Sequence, residues 1–392
     1  MPPRAKPVIV YLVSEDWYFL SHRLPMAHAA LAAGYEVHVA THLNGRAAEI
    51  EAHGFRLHAL DWRRGSFNPF DLFHIIRQVR ILYRQVQPAL VHHVALQPSI
   101  VGSLAALGMP FPQLNALAGL GFGFTSATLK GRVVRPVLSA LLRFLFKRPQ
   151  TALLVQNPDD HAAMTSLGIS PQRIFTVPGS GVDTDRLTPM PEPAGPFTAG
   201  FVGRLLDDKG ICTLIAAHDL LTQRGEDIRL LIAGDRDPAN PTSINEREIE
   251  SWTRRPGIEV LGFVKDIATV WAQAHIAVLP SRREGLPKSL LEAAACGRAI
   301  VATDVPGCRE IARPGVNALL VPADNAIALA DAIGTLARNP QLRQSFAAAG
   351  RHLVENEFAN AQIGRQIVAV YDHLMGLNPR RAALLPQAAP HG

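Results

Sequence analysis

Short apolar runs alternate with longer segments of helical period along the chain, and the series runs twice. In the first half PVIVYLV (7–13) reads as a strand, HRLPMAHAALAAG (22–34) as a helix stopped by Gly34, and YEVHVAT (35–41) as the next strand. Another helix ends before Gly54, FRLHALD follows as a strand, and ALVHHV (89–94) with a run near Phe111–Leu117 completes the series. It restarts with FTAGFVG (197–203), a helix from Gly210, IRLLIAGD (228–235), IEVLGFV (258–264), HIAVLP (275–280), a helix after Pro287, AIVAT (299–303) and NALLVPA (317–323). Apolar strands separated by helices are the pattern of a parallel sheet covered on both faces. The chain is therefore expected to be α/β, with two doubly wound domains facing a central cleft. Ligands bind such sheets beyond the carboxyl ends of the strands.

The proline-dense stretch TPMPEPAGP (188–196) is the expected linker between an N-terminal domain of residues 1–187 and a C-terminal domain of residues 197–375. The last helix, IGRQIVAVYDHLM (363–375), is free to pack back on the N-terminal domain. The tail 376–392 is expected to be disordered.

Composition narrows the class. With 392 residues, 48% apolar and 18% charged, the chain fits an ordinary soluble globular protein with a sizeable core. Three cysteines, Cys212, Cys296 and Cys308, exclude a full disulfide framework and fit a reducing compartment. The start MPPRAKPVIVYLV imitates a signal peptide, but its apolar run stops at Ser14-Glu15-Asp16 without a cleavage site, so it reads as the first strand. No segment reaches the roughly 18 uninterrupted apolar residues of a membrane span. Residues 1–190 carry 18 Lys/Arg against 11 Asp/Glu, and residues 191–392 carry 21 against 22. A basic half beside a neutral one points to an anionic partner. Nucleic acid is disfavoured, because no aromatic platform interleaves the basic residues. A dinucleotide oxidoreductase is excluded by the lack of a G-x-G-x-x-G turn after the first strand.

The chemistry concentrates in SRREGLPKSLLEAAACG (281–297), with Glu284 in a Gly-Leu-Pro turn and Glu292 inside the following helix. Pro287 suits the first helical turn, where its missing N–H costs nothing. The N–H groups of Gly285, Leu286, Lys288 and Ser289, with the helix dipole, make an anion site suited to phosphate. Gly285 permits close approach to the backbone. Carboxylates beside such a site make sense when the phosphate is flanked by hydroxyls, as in a sugar nucleotide; otherwise both are solvated helix charges. Arg204 and Lys209, behind Gly203 in GRLLDDKG, supply countercharge, one as a planar fork and one as a point charge.

The segments GRLLDDKG, VLGFV, PSRREGLPKSLLEAAACGRAIVATDVPG and GVNALLVPADN resemble the retaining glycosyltransferase family 4 ("group 1"), whose fold is GT-B, with two Rossmann-like domains. The spacing of Glu284 and Glu292 is the family's E-x7-E. The resemblance covers most of residues 197–375. It implies Arg204 and Lys209 on the donor diphosphate, Glu284 on the donor sugar and Glu292 on the ribose. It also implies Gly262-Phe263-Val264 at the nucleobase, with Gly203 and Gly285-Leu286-Pro287-Lys288 closing around the donor. Glu284, Arg204 and Lys209 are the catalytic candidates. The N-terminal half is similar to bacterial enzymes that extend sugars on undecaprenyl diphosphate, through RRGSFNPF (63–70), ALAGLGFGF (116–124) and the loop before His22-Arg23-Leu24-Pro25; GDRDPANPTS (234–243), in the other half, is shared as well. Two departures stand out. The glycine pair common after the first strand is replaced by Ser14-Glu15-Asp16-Trp17, and the histidine that faces the donor sugar is missing from Asn115-Ala116-Leu117-Ala118-Gly119. His92 and His93 lie near the cleft and read as structural.

The implied reaction moves a sugar, with retention, from a nucleotide diphosphate sugar, expected to be UDP-linked, to a polyprenyl-diphosphate-linked saccharide. Same-face attack is favoured over a covalent intermediate, since Glu284 is assigned to sugar hydroxyls. No metal or other cofactor is expected. Asp183-Thr184-Asp185 reads as a turn and Asp235-Arg236-Asp237 as a border of the nucleotide site. His22, Arg23, Arg64 and Asn115 are the acceptor candidates. LKGRVVRPVLSALLRFLFKR (129–148) joins a stripe of Val133, Val137, Leu138, Leu141, Leu142 and Leu145 to basic residues only, so it reads either as a membrane-surface helix or as a core helix. The expected location is the inner face of the cytoplasmic membrane. The alternatives are a non-catalytic binder of nucleotide or lipid-linked sugars and a nucleotide-sugar epimerase of similar fold.

Overall fold

The strands foreseen from the apolar runs form two parallel sheets. The computed structural model describes residues 6–63, 68–117, 129–179, 181–238 and 240–378, with the backbone alone for 129–135. One compact unit comprises residues 1–180 and 360–392, the other 181–359.

The first unit carries β1 (Val8–Glu15), β2 (Glu36–His42), β3 (Arg56–Ala59), β4 (Leu90–Val94), β5 (Gln113–Ala116), β6 (Thr151–Val155) and β7 (Ile174–Thr176) in the order β3-β2-β1-β4-β5-β6-β7. Every neighbouring pair is parallel. The second unit carries β8 (Phe197–Val202), β9 (Ile228–Ala233), β10 (Ile258–Gly262), β11 (Ile276–Leu279), β12 (Ala299–Thr303) and β13 (Ala318–Val321) in the order β10-β9-β8-β11-β12-β13, again all parallel. Strands β4, β6, β11 and β12 are buried at every position, as sheets covered on both faces require. The order reverses between β1 and β4 and between β8 and β11, and such switch points open a crevice at the carboxyl ends. Asparagines start many of the helices: the side chains of Asn68, Asn157, Asn245, Asn325 and Asn339 each accept a first-turn N–H.

Two expectations need correction. The helix foreseen over 22–34 is shorter, Leu24–Ala32, and an unforeseen helix, Asp16–His22, precedes it and ends at Arg23. Pro25 has no N–H to continue the first helix, so it sits in the first turn of the second. The proline-rich stretch 188–196 is no free linker. Met190 N–H donates to the Cys296 carbonyl (3.2 Å), Arg298 donates to the Pro191 carbonyl (2.8 Å), and Glu192 takes a forked bond from Arg343 (2.9 and 2.8 Å). Its polar groups are thus held by the second unit, whose boundary falls near residue 181. The last helix, Asn360–Leu374, takes the place the sequence left open to it: it belongs to the first unit, packed on Leu24–Ala32. Gly364 makes that contact close, since a Cβ there would lie 2.7 Å from Ala29 Cβ. Tyr371 anchors the helix through Tyr11 (2.6 Å between hydroxyls) and His92 Nδ1 (2.7 Å). The tail 379–392 lies outside the described residues.

Candidate active site

Strands β8 and β11 are neighbours, with Ile276 opposite Ala199, so the loops that follow them leave the sheet side by side. The first runs from Gly203 to Gly210 and the second from Pro280 to Pro287. Gly210, at φ +69°, touches the second loop: a Cβ there would lie 1.9 Å from the Pro280 carbonyl oxygen. Charges join the loops further. Arg282 N–H donates to the Asp208 carbonyl (2.9 Å), Arg283 pairs with Asp208 (2.5 Å), and Arg282 pairs with Asp324 (2.7 Å) and with Asp207. At the centre Lys209 Nζ lies 2.6 Å from Glu284 Oε1, and Ser281 Oγ donates to the same oxygen at 2.6 Å. The Glu284 side chain is 8% exposed and that of Lys209 21%. Thr303 Oγ1 donates to the Ser281 carbonyl. Behind the turn, Gly307 comes so near that a Cβ on it would sit 2.6 Å from the Glu284 carbonyl oxygen. Glu284 is therefore held by side chains and backbone from several loops.

The helix begins at Lys288, and Pro287 is its N-cap rather than its first helical residue. Pro287 is extended (φ −75°, ψ 110°), and its carbonyl accepts the N–H of Leu290 at 3.1 Å. Glu292 is largely buried and lies 3.5 Å from Lys288 Nζ. Burial pushes its carboxyl above the usual range, and the ammonium of Lys288 opposes that shift. Arg204 has a partner of its own. It pairs with Asp237 at 2.6 Å and stays about half exposed. Gly203 packs under Gly234, whose Cβ position is 1.9 Å from the Gly203 carbonyl oxygen. Gly262 ends β10 at φ +68°, followed by Phe263, 68% exposed, and by half-buried Val264. Beside them opens a cavity of about 560 Å³, lined by Gly234, Asp235, Arg236, Ile249, Leu261 and Gly262.

In the first unit the acceptor candidates fare differently. Asn115 is fully buried, its Oδ1 bound to His93 Nδ1 (2.8 Å) and to Ser103 Oγ (3.1 Å). Arg23 is 2% exposed, with one contact from NH1 to the His22 carbonyl (3.1 Å). Both are corrected from acceptor contacts to interior residues, because neither presents a donor to solvent. His22 is half-buried, stacked on Tyr18 with ring centroids 4.3 Å apart. Arg64 lies outside the described residues. His92 and His93 are buried and structural, and burial pushes the His93 imidazole down to about 4. In the helix Leu129–Phe146, Leu142 and Leu145 are buried and Leu138 and Leu141 pack on the same cluster, while Val137 is exposed. Asp183 forms a turn, accepting the N–H groups of Asp185 and Arg186 (3.1 and 2.9 Å).

Sequence reasoning missed Ser281, the pairing of Asp237 with Arg204 and the bracing of the two loops. One signal was available: Asp207-Asp208 and Arg282-Arg283 are complementary dipeptides, one inside each motif loop. Chemically, the arrangement offers a cation and a carboxylate in contact, beside a helix start whose first N–H groups lack intrahelical acceptors. It can bind an anion next to a hydroxylated group.

Comparison with known proteins identifies both halves of the chain. The family described as glycosyl transferases group 1 matches residues 196–339, and the glycosyl transferase 4-like family matches residues 8–157. The N,N'-diacetylbacillosaminyl-diphospho-undecaprenol alpha-1,3-N-acetylgalactosaminyltransferase of Campylobacter jejuni is 26% identical over 84% of this chain and 91% of its own. Among solved structures, sucrose-phosphate synthase from Thermosynechococcus elongatus superposes with a TM-score of 0.81 at 20% identity, over 95% of this chain and 100% of that one. HepE of Anabaena, in complex with UDP and glucose, does so with 0.74 at 18% identity, over 92% and 98%. With two parallel-sheet Rossmann-like domains, each matched by a glycosyltransferase family, this chain belongs to the group 1 glycosyltransferases of the GT-B fold.

Proposed function

We propose that the enzyme transfers a hexose or N-acetylhexosamine, with retention, from a UDP-sugar to a saccharide carried on a polyprenyl diphosphate. The observation that carries this reading is the contact of Lys209, Glu284 and Ser281 at the carboxyl ends of β8 and β11. Lys209 and Arg204 would bind the donor diphosphate, with the start of the helix Lys288–Ala295 completing the anion site. As the leaving group departs, these cations and N–H groups would offset its growing charge, each contributing about 3 kcal/mol by analogy with oxyanion-hole donors. Glu284, kept from solvent, would accept hydroxyls of the sugar, and Glu292 those of the ribose. The acceptor hydroxyl would then attack from the side the diphosphate leaves, giving up its proton to that leaving group. The scheme uses no metal. Support for the donor comes from HepE, which holds UDP and glucose, and for the acceptor from the undecaprenol-linked name of the Campylobacter relative. The work would take place at the inner face of the cytoplasmic membrane.

The test is turnover. The enzyme is mixed with a panel of UDP-sugars and a synthetic polyprenyl-diphosphate saccharide, UDP release is followed, and the anomeric configuration of the product is read by NMR. Transfer with retention is expected. Inversion, or activity only with acceptors lacking a lipid, would overturn the reading.

A further inference from the structure

The helix Pro69–Val86 has two apolar faces. Ile75, Val79, Leu82 and Tyr83 are buried against the first unit. On the opposite side Phe70 is 84% exposed, Phe73 71% and Ile81 43%. At about 100° per residue, Phe70, Phe73, Arg77, Ile81 and Arg84 fall within an arc of roughly 80°. Arg77 and Arg84 are exposed as well, so this outer stripe is apolar at its start and basic along its length. The fold does not need these rings, since the inner face alone holds the helix. Nor are they on a fraying end. Pro69 opens the helix and the Asn68 side chain accepts the Phe70 N–H at 3.1 Å. A capped turn that presents two phenylalanines to water marks a contact surface.

We propose that this stripe seats the first unit on an anionic lipid bilayer, with Phe70 and Phe73 entering the acyl boundary and Arg77 and Arg84 at the headgroup phosphates. Charge complementarity selects this occupant over a second copy of the chain. The stripe is cationic, and residues 1–190 carry 18 Lys/Arg against 11 Asp/Glu, so two copies would repel where a phosphatidylglycerol surface attracts. Amphipathic basic helices bind such surfaces through apolar insertion and anionic attraction together. The seat rests on the lipid-borne acceptor proposed above only for its purpose. It needs no turnover to be read.

The experiment is cosedimentation of the full chain with vesicles of phosphatidylglycerol and phosphatidylcholine in equal amounts, free of any prenyl phosphate, and with vesicles of phosphatidylcholine alone. Preference for the anionic vesicles is expected. The double variant Phe70→Ser/Phe73→Ser should lose about tenfold or more of its partitioning at unchanged melting temperature. Arg77→Glu/Arg84→Glu should lose the preference for phosphatidylglycerol. A single Phe73→Trp should show blue-shifted emission on vesicles. Three results would overturn the proposal: undiminished binding by the phenylalanine double variant, equal binding to both vesicle types, or loss of binding only in Val137→Ser/Phe144→Ser, whose side chains are exposed on another helix of the same unit. Failure of sugar transfer leaves the vesicle result untouched, so the two readings fail separately.

Discussion

Removing the charge of Glu284 should weaken the junction of the two motif loops. Its Oε1 accepts from Lys209 Nζ and from Ser281 Oγ, both at 2.6 Å, with side chains 8% and 21% exposed for Glu284 and Lys209. At an effective dielectric constant of ~20, unit charges at that separation attract by about 6 kcal/mol. Desolvation of both groups cancels most of this, leaving about 1–3 kcal/mol net for a charged hydrogen bond in a partly buried site. A double-mutant cycle of Glu284→Gln, Lys209→Met and the pair, read by urea unfolding, isolates the term. The expected coupling is about 1–3 kcal/mol, with each single variant also losing about a hundredfold or more in turnover. Additive stabilities would refute the contact. Near-wild-type turnover in either single variant would refute its assignment to the donor.

Other outcomes follow from neighbouring residues. Burial raises the Glu292 carboxyl, so above the ordinary glutamate range the unfolded chain is ionised while the folded one resists, and stability falls as pH rises through the folded value. Glu292→Gln should flatten that fall in a melting-temperature profile while weakening donor binding. His93 is held neutral to about 4 and His92 is lowered well below 6.5, so stability should drop as pH falls from about 6.5 toward 4, as the unfolded chain takes up protons the fold refuses. His93→Gln should reduce that acid slope. Gly210→Ala must both adopt a positive φ and displace the Pro280 carbonyl, and should cost at least about 2 kcal/mol in urea unfolding.

Much of this was legible in the chain. Strands β11 and β12 are buried along their whole length, and the apolar runs in HIAVLP and AIVAT announce that state directly. The contact between Lys209 and Glu284 joins residues 75 positions apart, yet both motif loops stood out because glycine, proline and charge interrupt an apolar strand end. What stayed hidden depends on tertiary partners. Asn115 and Arg23 looked like polar groups near a crevice, and only the packing of His93, Ser103 and the last helix places them in the interior. The proline-rich stretch 188–196 has linker composition, but Arg298 and Arg343 lie more than a hundred residues away and bind it. Phe70 and Phe73 also escaped notice, because an apolar residue at the start of an amphipathic helix does not declare which face it takes.

The central claim is that the loops after β8 and β11 grip a nucleotide by its diphosphate, and calorimetric titration with UDP and with uridine tests it most directly. UDP should bind at least about tenfold more tightly than uridine, and Lys209→Met and Arg204→Ala should each erase most of that difference while leaving uridine unaffected. Equal affinities for UDP and uridine, or an advantage for UDP that survives both substitutions, would contradict it.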